Sequence, residues 1–412
     1  MSAHSTNLEL LAPVGDYERL VAAVQYGADA VYLGGTAFGM RAASANFDLD
    51  TLRRAVEYAH AHSVRVYLTC NTLPRGAEVE DLPQYLKDTA ACGVDAFIVS
   101  DIGVMMLAKR VAPQVEIHIS TQAGVVNYLT ARELYGLGAR RVVLARELSL
   151  EEIAEIRAKT PPELEIEAFV HGAMCMSFSG RCLLSSYITG RDANRGECAQ
   201  PCRWGYYLME EKRPGEYHPV YEDERGSYIL NAKDLCMIEH LDKLIQAGVT
   251  SLKIEGRAKS SYYVSVITNA YRCAIDQYLA DPQHYQLEPW VEEETRKVSH
   301  RTYSTGFYFG PIHEGQYYEN AGYVRSYDVV DIADGYEDGI IICTQRNKFS
   351  VGDELEILEP GRPPRSFVVP ALFDENGQAI ESANHAVMRV RIPCAFPVVP
   401  GAILRKGVIS AR

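Results

Sequence analysis

The sequence predicts an α/β fold: a TIM-like (β/α) barrel carrying a cysteine-bearing insertion, followed by a small C-terminal β-barrel. Three observations predict it. Short apolar, β-rich runs alternate with segments of helical spacing through the first 170 residues, the pattern of a parallel sheet with right-handed crossovers. One cap recurs between them. Gly27-Ala-Asp-Ala-Val, Gly93-Val-Asp-Ala-Phe, Gly138-Ala-Arg-Arg-Val and Gly248-Val-Thr-Ser-Leu each follow a helical segment and open a strand. A glycine there takes the left-handed conformation that ends a helix. Repetition of the unit favours a closed barrel over an open sheet. From Tyr323 the helical spacing disappears, and alternating runs joined by turns such as Val351-Gly-Asp and Glu375-Asn-Gly take over.

In chain order, strands are expected at Glu9–Ala12, Ala30–Leu33, Val64–Leu68, Ala96–Val99, Ile117–Ile119, Arg141–Leu144 and Glu165–Val170. Helices are expected at Tyr17–Tyr26, Asp50–His62, Leu82–Ala91 and Leu150–Lys159. The chain from Ala173 to Ser227 interrupts this alternation. It is rich in Gly, Arg and Tyr, and a loop of that length in a compact domain is functional or separately ordered. The pattern resumes with helix-like Asp234–Ala247, a strand over Ser251–Glu255 and a long helix over Tyr262–Leu279. The barrel is therefore assigned to residues 1–280 with the insertion at 173–227, a connector to 281–322 and the β-barrel to 323–412. Strands of the latter are read at Gly339–Thr344, Glu354–Leu358, Ser366–Val369 and Val387–Ile392.

The 412 residues suffice for a large core, and 47% apolar with 23% charged content is that of an ordinary globular protein. No apolar run approaches the ~18 residues of a membrane span. The start, Met1-Ser-Ala-His-Ser-Thr-Asn, has no basic stretch leading into an apolar one, so a cytoplasmic protein is expected, without a membrane role. There, ten cysteines read as thiols, metal ligands or redox groups rather than disulfides. A net charge of -13 excludes a non-specific nucleic-acid coat, while leaving room for a local basic patch. No Gly-x-Gly-x-x-Gly opens the first βα turn, His313-Glu314 lacks the second histidine of a zinc protease, and no Gly-x-Ser-x-Gly is present.

Loops leaving the C-terminal ends of barrel strands build the active site. Polar residues expected there are Asn71, Ser100-Asp101, Ser120-Thr121-Gln122, Arg146-Glu147, His171-Gly172, Asn231 and Glu255-Gly-Arg257, with His118 inside the fifth strand. Each alone reads as a cap or loop residue; together they make a polar, partly charged rim. Just past the seventh strand come Cys175, Cys182, Cys198 and Cys202, spaced Cys-x6-Cys-x15-Cys-x3-Cys in a polar stretch. Unconnected buried thiols fit such surroundings poorly. By contrast Cys70, Cys92, Cys273, Cys343 and Cys394 lie in apolar runs and read as packing residues. Spacing alone leaves zinc and an iron–sulfur cluster about even, since only the last pair approaches a zinc knuckle and cluster ligands tolerate wider gaps. Cys236 is a fifth candidate whose helical flanks favour packing.

At these residues the chain resembles a known family. Glu167-x-Phe169-x-x-Gly172-Ala173-Met174-Cys175, then Gly180, Cys182 and Leu184-Ser185, resemble the signature of the collagenase-like peptidase family U32. So do the flanks Glu9-Leu-Leu-Ala-Pro-Val-Gly, Tyr26-Gly-Ala-Asp-Ala-Val-Tyr, His118-Ile-Ser-Thr-Gln-Ala and Ser251-Leu-Lys-Ile-Glu-Gly-Arg257. Arg191-Asp192, Asn194, Gly196, Cys198 and Cys202-Arg203-Trp204, with the C-terminal β-barrel, are most similar to the tRNA-hydroxylating branch. That barrel is itself similar, over Asn347–Ile357, to the second domain of elongation factor Tu.

The resemblance implies prephenate-dependent 5-hydroxylation of the wobble uridine in a tRNA anticodon loop. It implies a 4Fe–4S cluster on Cys175, Cys182, Cys198 and Cys202, with Cys236 as the rival fourth ligand. Related branches hydroxylate 23S ribosomal RNA or support ubiquinone hydroxylation; proteolysis and a zinc-stabilised RNA-binding scaffold are the other readings. Prephenate has two carboxylates, and Arg146, Arg181 and Arg257 are candidate clamps for them. His171 and Glu255, with Arg257 beside them, are candidate catalytic groups for proton transfer. Tyr187, Trp204 and Tyr206 are candidates for stacking on a base. No protein partner is identified by the sequence.

Overall fold

The computed structural model describes residues 8–39, 46–175, 184–192, 196–201, 204, 207–208, 218–219, 233–310 and 325–408. The chain divides into two compact units, 1–20 with 28–259 and 301–322, and 21–27 with 260–300 and 323–412. In the first, β1 (Glu9–Pro13), β2 (Ala30–Gly34), β3 (Arg65–Cys70), β4 (Ala96–Val99), β5 (Glu116–Ile119), β6 (Arg141–Val143) and β7 (Glu165–Ala173) pair in parallel, each with the next. Short strands β8 (Tyr207–Leu208) and β9 (His218–Pro219) then pair with each other. After β10 (Asp234–Cys236), strand β11 (Ser251–Ile254) pairs with both β7 and β1 and closes an eight-stranded parallel barrel. The expected (β/α) barrel is therefore present. Its strands are buried almost end to end, which is why they read as unbroken apolar runs. Gly93 and Gly138 sit at φ 89° and 101°, as the recurring cap requires.

The helix Leu49–Ala61 starts at Asp48, whose carboxylate accepts from Thr51 N–H, and Leu150–Ala158 starts with a Ser149/Glu152 capping box. Two helices of nine residues or more between barrel strands have no counterpart in the expected pattern, Ile102–Val111 and Tyr128–Gly136. The first is apolar almost all round, which hides a helical period; the second buries only Ala131 and Leu134, too few for a clear apolar stripe. One segment is corrected. Asp234–Ala247 does not begin as a helix: Asp234–Cys236 is a strand, antiparallel to the end of β7, and only Leu241–Gln246 is α-helical. Three residues are too few to show a strand period.

The barrel floor is ionic. Glu9, Glu165 and Glu167 face Arg65, Arg141 and Lys253. Arg141, 1% exposed, donates to Glu9, Glu165 and Glu167 and to Ser251 Oγ. Lys253 Nζ lies 2.6 Å from Glu167 Oε1 and 4.4 Å from the Tyr32 ring centre. Burial opposes ionisation of Glu9, but Arg141, Arg65 and the Tyr67 hydroxyl outweigh it and hold the carboxyl at about 2. Above this layer Leu11, Ala30, Tyr32, Tyr67, Ala96 and Ile98 form an apolar plug. The barrel is a packed core with chemistry possible only at its rim.

The second unit holds helices Ser261–Ala280 and Pro289–Thr295 and an antiparallel sheet. Its strands are β13 (Tyr327–Glu337), β14 (Ile340–Gln345), β16 (Glu354–Leu358), β17 (Arg365–Val368), β18 (Leu372–Asp374), β19 (Ala379–Ile380), β21 (Arg389–Pro393) and β22 (Ile403–Gly407), in the order β17-β16-β22-β13-β14-β21-β18-β19. A separate pair joins β15 (Phe349–Ser350) to β20 (Ser382–Ala383). This is the expected small β domain, in the form of a half-barrel: among the described residues its end strands, β17 and β19, do not pair with each other. The central strands β13 and β22 escaped the pattern because Asp328, Asp331, Asp334 and Gly335 interrupt the first and a bulge shifts their register. Arg405, fully buried on β22, grips both oxygens of Glu294 at 2.7 and 2.6 Å and pins the helix Pro289–Thr295 to the sheet.

Candidate active site at the barrel mouth

The loops after β6 and β11 and the end of β7 bring charged and titratable groups together at the mouth. Arg257, just past β11, is only 3% exposed. Its Nη1 donates to Thr69 Oγ1 on β3 at 3.1 Å. A Cβ on Gly34 at the end of β2 would overlap that same nitrogen, and one on Gly15 would overlap the Arg257 carbonyl. Glu255 is seated by its own N–H, which donates to the His171 carbonyl at 2.9 Å. Its Oε2 lies 3.5 Å from the Tyr32 hydroxyl and 3.6 Å from Arg146 Nη2. Arg146 donates to the Ala173 carbonyl at 2.8 Å, and its guanidinium stacks 3.7 Å from the Phe169 ring centre. His171 is 1% exposed, with Nε2 3.3 Å from the Tyr303 hydroxyl and the two rings edge to face. Tyr303 comes from β12 (Tyr303–Ser304), which pairs with β10.

Four of the expected site residues are thus at one rim: Arg146, His171, Glu255 and Arg257. Two guanidinium groups and a carboxylate therefore belong to this rim, and Arg146 and Glu255 stand 3.6 Å apart in it. Such a rim can hold a small anion and move a proton next to it. His171 is not in a loop after β7, as the sequence reading had it, but within the strand, opposite Cys236 in the β7–β10 ladder. The correction to residues 234–236 therefore also moves Cys236, from a helix into a strand.

Other expected rim residues serve the scaffold. Asp101 caps the helix Ile102–Val111 through Val104 N–H, Ser120 accepts from Gln122 N–H, Thr121 donates to the Leu144 carbonyl and Ser100 to that of Asn71. His118 lies in the floor, 0% exposed and edge-on to Tyr67. Burial, then Arg141 and Lys253, hold it well below the ordinary histidine range, so it stays neutral.

Of the four clustered cysteines, Cys175 is exposed just past β7 and Cys198 is half-buried. The Cys198 sulfur accepts the Gln200 N–H at 3.3 Å, and Ser185 Oγ accepts from Ala199 N–H at 3.0 Å. An amide aimed at sulfur stabilises a thiolate, as a cluster or zinc ligand requires. Cys182 and Cys202 lie outside the described residues, and with them Arg181, Tyr206, Asn231 and the Tyr187 side chain. Among the described residues no group of three His, Cys, Asp or Glu is gathered for a metal. Arg75 in the loop after β3 reaches Asp192 of the insertion at 3.6 Å, so this part of the insertion lies at the mouth. Trp204 is exposed. The five cysteines read as packing residues, Cys70, Cys92, Cys273, Cys343 and Cys394, are all buried.

Thr69, Gly34 and Tyr303 were not singled out by the sequence, and Tyr32 entered only as the end of the flank Tyr26-Gly-Ala-Asp-Ala-Val-Tyr. Their only local signal is place: Tyr32, Gly34 and Thr69 sit at alternate positions in the last turns of β2 and β3, where residues face the barrel interior.

The model of peptidase family U32 matches residues 15–316, and that of the family's C-terminal domain matches residues 325–405. The chain belongs to peptidase family U32. It is 38% identical to tRNA hydroxylation protein P1 of Bacillus subtilis (strain 168), over 97% of this chain and 94% of that one. It is also 38% identical to tRNA hydroxylation protein P of Escherichia coli (strain K12), over 91% of each. The 23S rRNA 5-hydroxycytidine C2501 synthase of Escherichia coli (strain K12) is 37% identical over 73% of this chain and 45% of its own length. The U32 signature lies on β7 and the chain just beyond it. Its Glu167 is fully buried in the floor, whereas Phe169 backs Arg146 and Cys175 opens the insertion. No helix among the described residues is long and apolar enough to cross a membrane.

Proposed function

We propose that this U32 protein hydroxylates RNA, and that its reaction is the prephenate-dependent 5-hydroxylation of the wobble uridine of tRNA. The observation that carries the reading is similarity to two tRNA hydroxylation proteins over more than nine-tenths of the chain. The relative named for 5-hydroxycytidine synthesis supports pyrimidine C5 as the reacting carbon. An anticodon loop presents bases that are already unpaired, so placing one at the mouth costs little.

In this reading Arg257 and Arg146 take the carboxylates of prephenate, with Arg181 as a further candidate. Both described guanidiniums are planar and held from behind, Arg257 by Thr69 and Arg146 by Ala173 and Phe169, which suits forked pairing with a carboxylate. Hydroxylation must remove the proton on C5, and Glu255 or His171 accepts it. Cys175, Cys182, Cys198 and Cys202 would hold a 4Fe–4S cluster; the Gln200 N–H on Cys198 fits such a ligand. When bound, the cluster supplies electron transfer or a seat for the oxygen donor. The serine, metallo- and cysteine-protease motifs are absent from the sequence, so the family's name does not decide its chemistry.

Deleting the gene should remove 5-hydroxyuridine-type nucleosides from cellular tRNA, read by mass spectrometry, and the wild-type gene should restore them. An unchanged nucleoside profile would refute the reading. Protein purified without oxygen should carry about four irons and absorb broadly near ~400 nm. One zinc and no iron would sink the cluster assignment.

A further inference from the structure

We propose that the outer face of the C-terminal half-barrel, centred on Arg389, Arg391 and Phe373, binds the tRNA substrate through its phosphates and a base. The proposal rests on the reading of the substrate as RNA. The ladder defines the face. Val390 and Ile392 on β21, and Ile341 and Cys343 on β14, are buried in the core of this domain. Side chains alternate along a strand, so Arg389 and Arg391 lie on the opposite face, with Ile342 and Thr344. Arg389 is exposed and Arg391 half-buried. Arg391 stands between Ile342 of β14 and Phe373 of β18, and Arg389 stands opposite Thr344.

These two cations differ from others of the same domain. Arg362, Arg365, Arg405 and Lys406 each pair with a carboxylate. Among the described residues, the Arg389 and Arg391 side chains make no ion pair, hydrogen bond or ring contact. They are two residues apart on one face, about 7 Å along the strand, so their charges repel with no counter-charge on either. Lys348, exposed just past β14, adds to them. Asp334 and Glu337 share the face but stand on β13, and Asp334 accepts from Thr344 Oγ1 at 2.7 Å.

This combination selects the partner. The whole chain carries -13 and repels RNA, so a local patch must supply the attraction. A polyanion whose charges recur along a chain relieves the repulsion between neighbouring guanidiniums, and each fork suits a phosphate. The half-buried Phe373 ring beside Arg391 is a platform for a base. An acidic protein would match the charges but not their pairing with a stacking surface.

The test uses the full-length protein and tRNA purified from cells lacking the gene, with affinity read by fluorescence anisotropy over a range of salt concentrations. Arg389→Gln combined with Arg391→Gln should weaken binding about tenfold and flatten the log–log salt dependence by about 1.4, or ~0.7 for each phosphate contact. Lysine at both positions should keep most of that dependence. Phe373→Leu should weaken binding about fivefold and leave the salt dependence unchanged. Arg362→Gln removes a cation that already faces Glu359 and should change affinity less than twofold. Wild-type affinity and salt dependence in the double arginine variant overturn the inference and leave the proposed function standing, because the nucleoside profile tests that separately. A loss in Arg362→Gln as large as in Arg391→Gln alone also overturns it, since net charge then explains the binding. Displacement of the tRNA by poly-glutamate as effective as by unlabelled tRNA overturns it in favour of an acidic protein.

Discussion

The floor and the mouth of the barrel use the same residue types to opposite ends. At the floor, three carboxylates meet three cations, and Arg141 alone contacts Glu9, Glu165 and Glu167. Most of these groups are fully buried, and their hydrogen bonds close on one another. At the mouth, Arg146 and Glu255 are each 14% exposed and stand 3.6 Å apart, beyond hydrogen-bond distance. Each also bonds the backbone: Arg146 donates to the Ala173 carbonyl, and the Glu255 N–H to that of His171. A saturated ionic layer cannot take a ligand without first breaking. A rim held from behind can. Charge inside a barrel is therefore no sign of a site; what distinguishes a site is where its hydrogen bonds end.

The largest expected effect breaks the floor. Arg141→Leu leaves Glu9 and Glu167 buried with too few cations, and should cost about 3–5 kcal/mol in urea unfolding. A cost under ~1 kcal/mol would show that the layer is not a closed network.

Next in size is the pH dependence, where the second unit offers a contrast to the floor. The Glu9 carboxyl is held at about 2 in the folded chain, against an ordinary 4.5. Its contribution, roughly 3 kcal/mol, is complete above pH ~4.5 and lost as pH falls toward ~2. Asp331 on β13 is fully buried. Burial, opposed by the Cys343 thiol and the Ile332 N–H, with Asp334 adding to the rise and Arg346 reducing it, pushes its carboxyl to about 7. Opposite it in the ladder is Gln345, and both Asp331 Oδ2 and Gln345 Oε1 lack a donor. A proton on Asp331 would satisfy one of these acceptors. The folded state here holds its proton more tightly than the unfolded chain, so stability should fall as pH rises from ~4 to ~7, by a few kcal/mol. Glu9→Gln should flatten the acid limb, and Asp331→Asn the neutral one. Acid and neutral limbs that survive their own substitutions would remove the contrast.

The smallest effect on stability belongs to the mouth. Arg146→Gln loses one stacked, part-exposed cation and should move unfolding by no more than about 1 kcal/mol. Loss of hydroxylation should exceed tenfold in the same variant. If stability and activity fell together, Arg146 would belong with the floor.

How much of this was legible in the sequence follows from burial. The barrel strands were, because strands covered on both faces read as apolar runs, and the repeated glycine caps marked where each began. Strand β10 was not, since its three residues carry no period of their own. Nor was the central β13, whose aspartates disguise a half-buried strand. Arg146, His171, Glu255 and Arg257 could be nominated from their positions after strand ends. Glu9, Arg141, Glu167 and Lys253 stood equally plain as charges inside apolar runs, yet the sequence offered no means of telling a floor from a mouth.

By itself the sequence determined the alternation of elements, the family, and the short list of groups able to bind an anion or move a proton. Those are local properties, carried by spacing and by the chemistry of single side chains. The tertiary structure decided which charges gather at the floor and which at the mouth. Thr69 and Arg257 are 188 residues apart, and only closure of the barrel brings the ends of β2, β3 and β11 together. Their hydrogen bond needs that coincidence in space, and no pattern along the chain encodes it.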